Sequence, residues 1–221
     1  MANYKDAVNF IKEWEGGISG HPDDNASANP SPCGVDPRYN APIHTNKGVT
    51  WQTFVGIYGQ SCDLFLEMPQ NIWLDIYKNH YWDKIGGDAL YNQAIANAYA
   101  SWAWGSGVGG ANNLMRQFLM DEYGYSYSDV MLPEQRILIL NWETRKDVER
   151  LFYGLVKARS DFYNQLEDSA TFGAGWNNRL DAFVKHNKKY ITTQSGKDKT
   201  YIIIALTLLV IAVLVYFILI Q

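Results

Sequence analysis

The residues predict a mainly α fold, and three observations carry that prediction. Apolar side chains return at helical spacing in one segment after another, and no alternating run is long enough for more than a few residues of strand. The third is a closing stretch, Ile202 to Ile220, of 19 residues without charge, glycine or proline. At about 1.5 Å per residue such a helix spans roughly 28 Å, the thickness of a bilayer's hydrocarbon core. A buried helix of that length would keep a polar face, whereas Thr207 is the only polar side chain before Tyr216. A single C-terminal transmembrane helix over 202–220 is therefore expected, with a lipid bilayer as partner.

Taken in order, Tyr4, Val8, Ile11 and Trp14, with Ala7 and Phe10 beside them, predict an amphipathic first helix closed by Gly16-Gly17. Residues 18–47 are dense in Pro, Asn, Asp, Ser and Gly and read as turn and loop. A loop that long inside a compact domain tends to be functional. Helical periodicity returns over Trp51–Tyr58, Met68–Trp82 and Leu90–Trp104. Gly105–Gly110 should break the chain before a helix over Ala111–Met120, and Pro133 can open another short one. Val148, Leu151, Phe152, Leu155, Val156, Arg159, Phe162, Tyr163 and Leu166 form the stripe of the longest helix, with Asn141 as its expected N-cap. A Gly173/Gly175 turn leads to a last helix from Trp176 to about Tyr190, and Gln194–Lys199 is a polar linker. The expected organisation is a first region over 1–125, a helical region over 126–193 packed on it, a linker over 194–200 and an anchor over 201–221.

Composition narrows the function. A net charge of −4 speaks against the clustered basic surface that nucleic acid requires, while eight Trp and fifteen Tyr could supply surface aromatics that suit flat sugar rings. The four histidines (His21, His44, His80, His186) show no metal-ligand spacing, so no metal and no cofactor is expected, and neither a GxSxG nor a GxxxxGK[ST] motif occurs. Gly105–Gly110 follows a helix-periodic stretch, not a strand, which speaks against a nucleotide loop. Cys33 and Cys62 are expected as reduced thiols, with a bridge after export as the alternative. The N-terminal segment does not read as a signal peptide. Lys185, Lys188, Lys189, Lys197 and Lys199 precede the apolar stretch, and the positive-inside bias would hold the preceding region on the cytoplasmic face.

One carboxyl stands out. Proton donation near neutral pH asks for an acid partly withdrawn from water. Glu15 ends an amphipathic helix, follows Trp14 and opens onto Gly16-Gly17 beside the long loop, whereas Glu13 has no such setting. A second carboxylate would come from Asp23 or Asp24, eight and nine residues further on, with Asp36 a third candidate.

Glu15-Gly16-Gly17, Pro22-Asp23-Asp24 and Thr45-Asn46-Lys47-Gly48-Val49-Thr50 together resemble the EGGY … PxD … TxxGIT pattern of glycoside hydrolase family 108. Members are muramidase-type lysozymes, many of them phage or bacterial wall hydrolases. The resemblance implies a lysozyme-like helical domain with a long catalytic loop. It makes Glu15 the catalytic acid, matches Asp24 to the Asp of PxD, and places Asp23, His44, Thr45, Thr50, Trp104 and Ser106 along the substrate site. Arg159-Ser160-Asp161-Phe162-Tyr163 and Gly175-Trp176-Asn177-Asn178-Arg179 are similar to the signature of the helical peptidoglycan-binding module paired with that family. The pattern departs at Ile18, in the Asn25–Ile43 insert, which lacks the family's Gly-Gly pair, and at Trp104-Gly105-Ser106-Gly107, where an Asn is missing.

The expected activity is thus cleavage of the β-1,4 bond between N-acetylmuramic acid and N-acetylglucosamine in peptidoglycan. A lytic transglycosylase giving 1,6-anhydro products, and a non-catalytic membrane-anchored wall-binding protein, are the alternatives. The expected setting is a phage product held in a virion membrane or the host inner membrane, with virion membrane or capsid proteins as further partners.

Overall fold

The computed structural model describes residues 1–166, 169 and 171–192. The polar linker and the Ile202–Ile220 segment lie outside them; among the described residues no helix is long and apolar enough to cross a membrane. The architecture is mainly helical.

Helix α1 (Tyr4–Trp14) starts at Asn3, whose side chain accepts the Lys5 N–H, and buries Ala7, Val8, Phe10 and Ile11. It stops at Glu15, where the backbone turns extended ahead of Gly16-Gly17. The stretch after it is more regular than its composition suggests. β1 (Ile18–Ser19), β4 (Thr45–Asn46) and β5 (Val49–Thr50) form a small antiparallel sheet, while β2 (Val35–Asp36) and β3 (Ala41–Pro42) form a separate ribbon inside the insert. Lys47 and Gly48 link β4 to β5 with positive φ at both (48° and 78°), the two-residue hairpin geometry that matches strand twist. Lys47 tolerates that conformation because Nζ donates to the Glu67 and Met68 carbonyls and its own carbonyl accepts the Trp73 indole N–H at 2.8 Å.

The insert is folded around one buried charge. Asp36 is fully buried, and its carboxylate accepts from Arg38 Nε (3.0 Å), Arg38 Nη2 (2.7 Å) and the Gly20 N–H (3.0 Å). Cys33 and Cys62 are bonded to each other, which corrects the expectation of reduced thiols. The insert doubles back until the two Cα atoms stand 5.1 Å apart, and the bond closes a loop across a sequence separation of 29. In the chain-entropy account that closure is worth about 3–4 kcal/mol.

α2 (Trp51–Tyr58) is capped by Thr50, and a helix with no counterpart in the sequence reading, α3 (Cys62–Glu67), follows. Met68 takes a left-handed conformation, so α4 (Gln70–Tyr77) begins two residues later than its apolar pattern and ends in a π turn over Lys78–Trp82. α5 (Gln93–Tyr123) is the centre of the molecule. Its first half is apolar all round and buried, with Ala94, Ala96, Ala98, Ala100 and Ala103 letting neighbours approach closely. The expected break at Gly105–Gly110 is a kink at Gly107 (φ 71°, ψ 159°), and helix resumes at once.

After the one-turn α6 (Tyr127–Val130), α7 runs from Pro133 to Gln165 and packs along α5. The short helix expected at Pro133 and the long one after it are thus a single element interrupted at Asp147. Asp147 accepts the Arg150 N–H and does the capping expected of Asn141. Asn141 is buried inside the helix, where it bonds the Tyr91 N–H and the Ala89 carbonyl. The last helix among the described residues, α8 over 171–192, contains Gly173 and Gly175, so no turn occurs there. Phe183 of α8 packs on Phe10 and Phe152, and Asn187 accepts from Asn97, which fastens α8 to α1, α7 and α5.

The guanidinium of Arg38, by hydrogen bond above all, holds the Asp36 carboxyl well below the usual carboxylate range. A depressed folded value contributes stability that is present above the unfolded pKa, near 4, and lost as pH falls beneath it. Limited proteolysis should therefore leave residues 25–43 intact at neutral pH and cut them increasingly below about pH 4. Asp36→Asn should expose the same bonds already at neutral pH.

Candidate active site

Glu15 sits where four elements converge. The extended backbone at the end of α1 turns its side chain inward, leaving it 12% exposed, while Glu13 in the same helix faces solvent. Glu15 Oε1 accepts from the Trp104 indole Nε1–H at 2.8 Å and from Arg179 Nη2 at 3.2 Å. Oε2 lies against Gly48, where a Cβ would stand 2.1 Å from it. Only glycine lets the β4–β5 turn close on the carboxyl, and the positive φ there suits glycine as well.

Trp104 is itself held in an aromatic cage, with ring centroids 5.3 Å from Trp73, 5.6 Å from Tyr77 and 4.8 Å from Tyr81. Burial, with the Glu15 charge adding to it, pushes the Tyr81 hydroxyl up, and a side-chain hydrogen bond with Thr53 counters it in part. Tyr81 therefore stays a neutral phenol beside the carboxyl.

Two clefts open beside this centre. One, of about 520 Å³, is lined by Glu15, Gly16, Gly17, Lys47, Gln70 and Trp73. The other, of about 670 Å³, lies beyond Gly105 and Ser106 and is bounded by Asp24, Phe162, Phe172 and Trp176. Glu15 belongs to the first and Asp24 to the second.

The other residues singled out in the sequence take varied places. Asp24 caps the 3₁₀ turn Asn25–Ala28 by accepting the Ala26 N–H at 2.9 Å, and it still borders the second cleft. Asp23 is exposed, and its N–H donates to His21 Nδ1. Asp36 is sealed under Arg38, out of reach of any ligand. His44 is 1% exposed, its ring held between Thr45 Oγ1 and the His21 carbonyl. Thr45 lies half-buried in β4, and Thr50 caps α2 while donating to Thr53 Oγ1. Trp104 is buried and reaches Glu15, and Ser106 borders the second cleft. His44, Thr45 and Thr50 thus shape the hairpin that carries Gly48 and do not line either cleft.

Gly48, Tyr81 and Arg179 were not among the expected site residues. Gly48 could have been found from its place between Lys47 and Val49 in the Thr45–Thr50 motif; Tyr81 carries no signal. Arg179 was visible as the end of Gly175–Arg179, but only as part of a separate module. Gly48→Ala should destabilise the protein by more than about 1 kcal/mol, because φ is positive and the carboxyl must move. Thermal unfolding should show a midpoint at least about 2–4 °C lower.

Among curated proteins none matches this chain. A solved structure described as that of Brucella abortus SagA is similar in fold, with a TM-score of 0.62 over 85% of this chain and 94% of that one, at 22% sequence identity. Residues 8–107, which include Glu15, the insert, the Gly48 turn and Trp104 but not Arg179, match the family model described as Glycosyl hydrolase 108.

Proposed function

We propose that the protein is a glycoside hydrolase of family 108 acting on peptidoglycan, and that it cleaves the β-1,4 bond between N-acetylmuramic acid and N-acetylglucosamine. The observation that carries this reading is the setting of Glu15, a largely buried carboxyl lining an open cleft, with Oε1 held by Trp104 and Arg179 and Oε2 packed against Gly48. Family and fold likeness support the reaction class.

The geometry divides the work between the two oxygens. Oε1 accepts two N–H donors, so Oε2 is the oxygen that can carry the proton. Glu15 gives that proton to the leaving glycosidic oxygen. Arg179 and Trp104 then balance and hold the carboxylate left behind, donors that need not reorganise as charge appears. Asp24 is the assisting carboxylate of this proposal, with Asp23 as its alternative; either would activate water or support the oxocarbenium-like centre. Phe172 and Trp176 offer apolar faces to sugar rings in the neighbouring cleft.

Arg179 makes α8 part of the active centre, and not only a wall-binding accessory. A second reading draws on Asp24 lying in the cleft away from Glu15 and being engaged as a cap: a lytic transglycosylase, in which the sugar's own hydroxyl takes the place of water. Residues 202–220 would anchor the enzyme to a virion membrane or host inner membrane, consistent with a phage-encoded wall hydrolase.

Purified protein should release reducing ends from peptidoglycan sacculi. Glu15→Gln should lower that rate by roughly 10²- to 10⁴-fold with the circular dichroism unchanged. A fully active Glu15→Gln protein would sink the assignment, and a product one water lighter would mark the transglycosylase. Arg179→Ala should reduce kcat about 10- to 100-fold, as loss of a charge-assisted hydrogen bond does, with a smaller change in KM. An Arg179→Ala protein with unchanged kcat would return α8 to an accessory role.

A further inference from the structure

Tyr91, Leu138 and Trp142 are large apolar side chains left in solvent, 43%, 70% and 55% exposed. Leu138, Trp142 and Arg145 stand at i, i+4 and i+7 in the first half of α7 and so share one face. The Arg145 guanidinium lies 4.6 Å from the centre of the Tyr91 ring, which brings Tyr91 onto that face. Behind it Asn141 accepts the Tyr91 N–H and fixes the segment before α5 to α7. Single exposed apolar residues are ordinary, whereas a contiguous group of them marks a surface that meets something. Basic side chains lie among them. Lys146 rests 5.0 Å over Trp142 while paired with Glu143, and Arg145 has no ion-pair partner among the described residues.

Three helices place this face at the opposite end of the bundle from Glu15. At the start of α1, Asn3 bonds with Gln93 and the Ala2 N–H donates to the Leu90 carbonyl, beside Tyr91. Near the end of α8, the Tyr190 carbonyl accepts from Asn92. From those contacts α1 runs to Glu15, α5 to Trp104 and α8 back to Arg179, and the three meet again at the carboxyl. Each path is about 12 residues of helix, or roughly 16–18 Å. Thr192, the last described residue, leaves α8 at the Tyr91 end. The uncharged run that begins at Ile202 can start no further than about 35 Å from it, with Lys197 and Lys199 in between.

We propose that the Tyr91–Leu138–Trp142 face rests on the surface of an anionic lipid bilayer, beside the place where the chain's apolar run enters it, with the Glu15 end turned away. The proposal rests on the reading of 202–220 as an anchor and is independent of the reaction. Trp and Tyr favour the headgroup zone, where an apolar ring and a polar edge are both accommodated. Arg145, and Lys188 exposed in the last turn of α8, suit phosphate headgroups, as do Lys197 and Lys199. A second copy of the chain would instead bring two such basic faces together. A tether alone lets the domain tumble, whereas a docked face points both clefts away from the bilayer.

Cys33 and Cys62 are bonded to each other, so Leu138→Cys supplies a unique thiol for a nitrobenzoxadiazole label. Asn29→Cys, exposed in the insert, is the control. In full-length protein reconstituted into phosphatidylcholine vesicles, adding phosphatidylglycerol should shift the label at 138 to the blue and brighten it, and leave the label at 29 unchanged. Arg145→Gln should lower the ratio of docked to undocked protein about fivefold, the effect of one basic side chain at an anionic surface. Co-flotation with the vesicles reports the anchor separately. Protein that floats while the label at 138 stays in water overturns the docking face alone, and protein that does not float overturns the anchor as well. An equal shift on phosphatidylcholine alone also overturns the proposal. The cover is then a second copy if the shift fades as the protein is diluted in the vesicles, and the chain's own apolar run if it persists.

Discussion

The Glu15 carboxyl is held by donors that come from distant parts of the chain: an indole from α5, 89 residues away, and a guanidinium from α8, 164 residues away. Neither contact can form until α1, α5, α7 and α8 have packed, so the site is a product of the core and not of a local motif. The core in turn is shaped to deliver it. Alanines along the first half of α5 let α1, α7 and the π turn after α4 approach the same helix, and the Trp73, Tyr77 and Tyr81 rings hold Trp104 in one orientation. In the proposed reaction Glu15 must keep its geometry, and hydrogen-bond donors fixed by packing hold it without reorganising.

α5 bends soon after it has delivered Trp104. Gly107 breaks the helix just past Trp104, and Gly105 lets α5 close on Arg159. Gly105 and Ser106, just ahead of the kink, border the second cleft with Asp24, Phe172 and Trp176. The insert is built differently. It has little apolar core of its own and relies on a buried Asp36–Arg38 pair and on the Cys33–Cys62 bond to hold it against α3. Bonds of that kind are stable in oxidising surroundings, which bears on any expression of the protein for study.

Much of the architecture could be read from spacing. The 3.6-residue period alone located α1 and α2 to within a residue, and it found the apolar stripe of α7, because these helices bury one face, whereas the first half of α5 is apolar all round. Interruptions were harder. A glycine run reads as a loop, yet at Gly105–Gly110 the helix simply bends. A capping residue reads as a helix start, yet Asn141 is drawn into the core to satisfy the backbone at Ala89 and Tyr91. In both cases tertiary neighbours supplied what the local signal lacked.

By itself the sequence determined the mainly helical class and the singular setting of Glu15, since a helix end followed by Gly16-Gly17 is local chemistry. It also carried the family pattern later matched over residues 8–107. Only the tertiary structure decided what touches Glu15, which aspartates face a cleft, and that Cys33 reaches Cys62. It also moved Arg179 from a separate module to the carboxyl itself. Those outcomes depend on which residues far apart in the chain become neighbours, and periodicity records only the faces that are buried, not what they are buried against.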